Sequence, residues 1–244
     1  VLYLLHGATD NHTGWVQFGE VLHITDKAIR EGKATPMIII MPDADTKVMG
    51  YNNVPDWNYE DFMFQEFIPY VEKTFRIKAQ KRFRAVAGLS MGGGTTLSVA
   101  SKYSKELSGI ILVNPMIHVK FVPHQLAWAI SRFQKMRESV GDDIKRPGIT
   151  EHGYDALPAV GVYQLLKMLH YTRKRLHDVT VPMLLFHSVD DHTLPVSNTE
   201  IILAGVGSRE KNRIELVNSY HVATLDYDQE IIFENSRIFI QSHS

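Results

Sequence analysis

A chain of 244 residues, 44% of them hydrophobic, can bury one sizeable core, and α/β domains of this length commonly stay single. Its 26 lysines and arginines nearly balance 27 aspartates and glutamates, so no strong field recruits nucleic acid or an anionic membrane. With no cysteine, disulfides and thiolate metal sites are excluded, while a reducing and an oxidising compartment both remain compatible; the cytoplasm is slightly favoured over secretion.

In chain order, the first element expected is a strand over Val1 to Leu5, already apolar at its first residue, so an N-terminal segment is expected to be missing. A second strand is expected over Met37 to Met41; runs of this size fall far short of the roughly 20 residues a membrane helix needs, and no membrane span is expected. Phe62 to Phe75 carries apolar residues at helical spacing, and Met91 to Tyr103 opens with glycines and continues as a good helix former. Strands follow over Arg84 to Ala87, with Phe83 leading in, then Gly109 to Val113, Pro182 to Phe186 and Arg213 to Val217, with a terminal helix after Ile232. Strands alternating with helices, and lacking strict polar alternation, predict a mostly parallel sheet covered on both faces.

The stretch from residue 117 to 179 stands apart. It holds roughly 60 residues of helical pattern without a strand, far above the usual connection length, and reads as a helical cap or lid inserted in the one domain spanning residues 1–244. Trp128, Phe133, Met136, Leu165, Leu166, Met168 and Leu169 give it apolar helix faces. Packing of the cap is the main reading of these faces; a wall for an acyl chain, with Trp128 on it, is the other.

Chemistry concentrates at three places. Gly88-Leu89-Ser90-Met91-Gly92 fits G-x-S-x-G between a strand and a small-residue helix, the setting that projects a nucleophilic serine from a strained turn. Glycines two positions either side remove Cβ atoms that would collide with the strand and helix, and the helix N-terminus turns free amides toward a developing oxyanion. Serine alone is a poor nucleophile and needs a base and an orienting carboxylate, which this type of turn has in the order Ser, Asp, His. Both occur in that order: Asp191 in the loop His187-Ser188-Val189-Asp190-Asp191-His192-Thr193-Leu194-Pro195, and His221 after Asn218-Ser219-Tyr220. Asp191 is preferred over its neighbour Asp190 because its spacing to Leu194 resembles the acidic loop of folds that carry such a serine turn, in which an apolar residue anchors the loop beneath the carboxylate. Of twelve histidines, His221 is singled out by position; His187 and His192 flank the acid loop, and His6 is expected to brace a loop rather than react. The oxyanion hole is assigned to the backbone N–H groups of Met91 and of Ala8, in the loop Leu5-His6-Gly7-Ala8-Thr9-Asp10.

At these residues the chain resembles α/β-hydrolase serine esterases. Leu4 to Asn11, Trp57-Asn58-Tyr59-Glu60-Asp61-Phe62 and Ala87 to Gly94, within residues 1–107, are similar to esterase D-like feruloyl and acetyl-xylan esterases. Asn114-Pro115-Met116, the cap, Val189 to Pro195 and Ser219 to Asp226, within residues 109–244, resemble bacterial carboxylesterases and monoacylglycerol lipases. The split suggests a divergent or chimeric chain. In the shared fold one or two strands precede the one entering the oxyanion loop, so the leading strands are expected to be missing; an uncovered edge would favour a homo-oligomer.

The resemblance implies a serine carboxylic ester hydrolase using Ser90, Asp191 and His221 through an acyl-enzyme, with no cofactor. Feruloyl, acetyl or short-chain acyl esters, small or polysaccharide-linked, are the expected substrates, with Trp57 and Tyr59 as stacking or simply packing aromatics. A monoacylglycerol lipase-type esterase is the alternative, and an inactive chimera or binding scaffold is the non-enzymatic one. A metal hydrolase is disfavoured because no H-E-x-x-H spacing occurs.

Overall fold

A computed structural model describes residues 1–7, 11–17, 19–44, 51, 53–54, 57–119, 128, 136–138, 142–150 and 156–244. Ten strands lie among them: β1 (Leu2–Leu5), β2 (Ile39–Ile40), β3 (Asn53–Val54), β4 (Trp57–Asn58), β5 (Ala85–Leu89), β6 (Gly109–Val113), β7 (Met136–Glu138), β8 (Ala156–Pro158), β9 (Met183–Ser188) and β10 (Lys211–Leu216). The helices are α1 (Gly14–Gln17), α2 (Val21–Arg30), α3 (Tyr59–Phe62), α4 (Ile68–Thr74), α5 (Met91–Tyr103), α6 (Ala159–Lys174), α7 (Ser197–Gly205) and α8 (Gln229–Ser242). A π-helical segment, Met63–Phe67, joins α3 to α4.

Six strands form one sheet in the order β10-β9-β6-β5-β1-β2, and every pairing in it is parallel. Every residue of β1, β5, β6 and β9 is buried, which is why their sequences read as continuous apolar runs rather than alternating ones. Alternation is still present in three dimensions, because successive side chains leave opposite faces of a strand. Tyr3, Leu5, Val86, Ile110, Leu112 and Leu185 enter the core beneath α4, α5 and α7. Leu2, Leu4, Ala87, Ile111, Leu184 and Phe186 meet Ile232 and Phe239 of α8 and, at the margin, Val21 of α2. At the β10 edge the pattern changes, with Lys211, Asn212 and Glu215 exposed.

One nearly buried ion pair ties the α4 side to the sheet. Arg84, just before β5, donates from Nε and Nη2 to the two Glu72 carboxylate oxygens at 2.7 and 2.8 Å, and from Nη1 to the Glu106 carbonyl at 2.8 Å. Such a planar fork fixes direction as well as distance.

Residues 117–179 differ from the strand-free expectation. β7 and β8 pair antiparallel as a short ribbon, Met136 opposite Pro158 and Glu138 opposite Ala156, before α6 begins. Three-residue strands are too short to impose a readable alternation, and Pro158, the last residue of β8, stands directly before the helix. Leu169 of α6 is buried and Leu165 packs on the core, while Trp128 is half exposed; Phe133 lies outside the described residues. No helix among the described residues is long and apolar enough to cross a membrane.

Candidate active site

Parallel strands bring their carboxyl ends to one edge of the sheet, so the loops after β1, β5, β6, β9 and β10 converge there. Ser90 sits between β5 and α5 with φ 53° and ψ −114°, a left-handed conformation that costs free energy in a non-glycine residue. The turn closes this tightly because the residues two positions either side, Gly88 and Gly92, have no side chains to place. A Cβ on Gly88 would overlap the Gly92 carbonyl and stand 2.7 Å from the Gly93 nitrogen; one on Gly92 would overlap the Leu5 oxygen and stand 2.8 Å from that of His6. Both obstacles are backbone and cannot swing aside. Gly92→Ala is therefore expected to push the loop after β1 off the start of α5, at a cost of about 1–3 kcal/mol or more. A thermal melt and an ester assay check this, and wild-type values in both would contradict the geometry.

That same loop is braced by His6, which is buried. Its backbone N–H donates to the Tyr51 hydroxyl at 2.9 Å, ring Nδ1 meets the Gly7 carbonyl at 2.9 Å, and Nε2 accepts from the Ala44 N–H at 3.3 Å. The carbonyl contact requires the proton on Nδ1, which leaves Nε2 the acceptor. Ala8 lies outside the described residues. Met91 is the first residue of α5, where a backbone N–H has no partner within the helix.

The acid loop and the histidine loop meet directly. His221 Nδ1 lies 2.8 Å from Asp191 Oδ2, with both side chains buried. The other oxygen of Asp191 accepts the N–H groups of Thr193 and Leu194 at 2.9 and 2.7 Å, and buried Leu194 anchors the loop below. Asp190 instead points outward, its carboxylate 56% exposed and 4.0 Å from Lys145 Nζ. Asn114, with φ 41°, links three loops: its amide donates to the His221 carbonyl at 2.7 Å and to Ser188 Oγ at 2.9 Å, and its Oδ1 accepts the Ser188 N–H at 2.7 Å. Met116, two residues on, donates its N–H to the Ser90 carbonyl at 2.9 Å. The serine turn and the histidine loop are thus held in one hydrogen-bonded frame. Ser90 Oγ makes no hydrogen bond to His221 among the described residues.

The remaining expected site residues fall elsewhere. His187 is buried on β9 with Nδ1 3.2 Å from the Thr199 hydroxyl, and burial, together with the nearby Arg213 charge, holds its pKa below the usual histidine range. Tyr59 is buried, edge-on to Tyr51, and its hydroxyl donates to the Asp43 carbonyl at 2.8 Å, so its ring is given over to packing. Trp57 lies on β4, paired across the hairpin with Val54. Trp128, in the cap, is 51% exposed.

The Esterase family model, described as putative esterase, matches residues 1–145, more than half of the chain. The chain belongs to this esterase family. The esterase is 34% identical over 191 residues to the thermostable monoacylglycerol lipase of Bacillus sp. (strain H-257), covering 77% of this chain and 76% of that one. Over 99 residues it is 39% identical to the endo-1,4-beta-xylanase/feruloyl esterase of Xylanibacter ruminicola, covering 39% of this chain and 14% of that much longer one. Among solved structures it is similar to one from work on the metagenome-derived lipolytic enzymes LipS and LipT, with a TM-score of 0.79, 26% identity, and 99% and 93% of the two chains covered. The esterase is a carboxylic ester hydrolase of the α/β-hydrolase fold, with feruloyl esterase and monoacylglycerol lipase relatives. The 191-residue alignment is longer than either of the two segments that resemble different branches, so it reaches into both.

Proposed function

We propose that the esterase hydrolyses short- to medium-chain acyl esters, acylglycerols among them, by two-step acyl transfer through Ser90. The observation that carries the reading is the buried His221–Asp191 pair, 2.8 Å apart, in the same frame as the strained Ser90 turn. His221 Nε2 takes the Ser90 proton as Oγ attacks the ester carbonyl carbon, and the Met91 and Ala8 amides hold the resulting oxyanion. Collapse breaks the bond to the alcohol oxygen, which leaves with the proton from His221. Water then repeats the attack on the acyl-enzyme, and the acid is released with Ser90 restored. Asp191 holds the imidazole with Nδ1 protonated and stabilises its charged form.

Support for acylglycerols comes from the relative aligned along three-quarters of the chain. Feruloyl or acetylated polysaccharide esters are the second reading, favoured by the shorter, 39% identical match within the feruloyl esterase. A serine-directed fluorophosphonate is expected to label Ser90 alone, read by peptide mapping; failure to label it in folded protein would favour a binding scaffold. With monolaurin, p-nitrophenyl butyrate and methyl ferulate compared, the first two should give the higher kcat/KM. The reverse order would turn the choice to feruloyl esters.

A further inference from the structure

Between β7 and β8, at 142–146, the chain reaches back across the site and bonds to both loops that carry the proton relay. Asp142 makes the turn with φ 59°, and Asp143 follows with its side chain only 14% exposed. Its Oδ2 accepts two backbone N–H groups at once, from His192 at 3.0 Å and from His221 at 3.2 Å. Its Oδ1 meets the His192 ring at Nδ1, 2.8 Å away, and its carbonyl accepts the Val222 N–H at 3.1 Å. His192 is the residue after Asp191, and His221 is the partner of Asp191. One carboxylate oxygen is therefore a common anchor for the backbones on either side of the 2.8 Å imidazole–carboxylate contact.

We propose that Asp143 is a positioning residue for ester hydrolysis, setting the separation of the acid and histidine loops and hence the approach of Asp191 to His221. The inference rests on the roles given above to Ser90, Asp191 and His221. Electrostatics agree with the geometry. Partial burial would raise the Asp143 pKa, but hydrogen bonds from the His192 ring and from the His192 and His221 amides hold it below the usual carboxylate range, and the same contact raises that of His192. Asp143 does not touch the reacting atoms in this mechanism; it acts through two backbones. Its removal leaves both N–H groups without their acceptor and lets the two loops part, which slows proton transfer.

Steady-state kinetics on p-nitrophenyl butyrate, with thermal melts alongside, test this in four variants. Asp143→Ala should lower kcat by about tenfold to a hundredfold, as expected for a displacement of under an ångström near the reacting groups, with KM within about twofold. Asp143→Leu keeps the volume and removes both acceptors, so it should behave alike if the alanine variant fails to fold. Asp143→Asn retains an oxygen able to accept both N–H groups and should recover kcat to within about threefold of wild type. Ser90→Ala is the control. If Ser90→Ala is inactive while a folded Asp143→Ala or Asp143→Leu keeps the wild-type kcat, the positioning role is overturned and the acyl-transfer reading stands. An Asp143→Asn variant no better than Asp143→Ala would overturn the positioning role in the same way. Turnover surviving in Ser90→Ala overturns the acyl-transfer reading and this inference with it.

Discussion

Replacing Ser90 by alanine should reduce p-nitrophenyl butyrate turnover by about 10⁴-fold or more while leaving the melting temperature close to wild type. The size follows from the chemistry, since without Oγ no acyl-enzyme forms and only direct attack of water on the bound ester remains. Stability should scarcely fall because Ser90 Oγ makes no hydrogen bond among the described residues, and the positive φ at this position is as unfavourable for alanine as for serine. His221→Ala should lose a comparable amount, and the double variant should be no worse than either alone, because nucleophile and base act as a unit. Additive losses in the double variant, or wild-type turnover in Ser90→Ala, would refute the assignment.

Asp226→Ala should produce the largest loss of stability, about 3–5 kcal/mol, and a fall in Tm of roughly 6–20 °C. Asp226 is fully buried. Its Oδ2 accepts the N–H groups of Lys145 and Tyr220 at 2.7 and 3.0 Å, and its Oδ1 those of Arg146 and Tyr227 at 3.1 and 2.8 Å. Truncation takes the acceptor from four backbone donors at once, in a region where water has little access. Asp226→Asn keeps one oxygen of the two and should lose less. A melt of Asp226→Ala within about 2 °C of wild type would show that these donors find other partners.

Much of the sheet is legible in the sequence because burial on both sides writes itself as an apolar run. Gly109 to Val113 has the expected bounds at both ends, as does the Met91 to Tyr103 helix, whose start the glycines and Ser90 mark. Boundaries shift where the signal changes character. β9 continues to Ser188 because His187 and Ser188, polar by type, are buried and hydrogen-bonded, His187 to Thr199 and Ser188 to Asn114. β10 begins at Lys211, whose exposed edge residues do not read as a buried strand. The Ser90 turn is legible because its chemistry demands a local pattern, glycine at fixed offsets from serine. Asn114, Asp143 and Asp226 carry no such signal. Each has a partner far along the chain, the His221 carbonyl 107 residues from Asn114, the His221 N–H 78 from Asp143 and the Lys145 N–H 81 from Asp226, and a backbone N–H or carbonyl looks the same in every residue that has one. Short pairings such as β7–β8 escape a sequence reading because three residues cannot establish a period.

The bonds from 142–146 to the histidine loop bear on how such an esterase can be re-engineered. The connection between β6 and β9 is the natural segment to exchange with a relative when a new substrate range is wanted, since it is long and leaves the sheet untouched. Here it is not a detachable module. A donor segment that fills the same space but lacks an acidic side chain at the position of Asp143, or main-chain donors for Asp226, would carry in its own specificity and loosen the host's proton relay. Transplants into this scaffold should therefore stop short of residue 142, or bring the matching histidine loop with them.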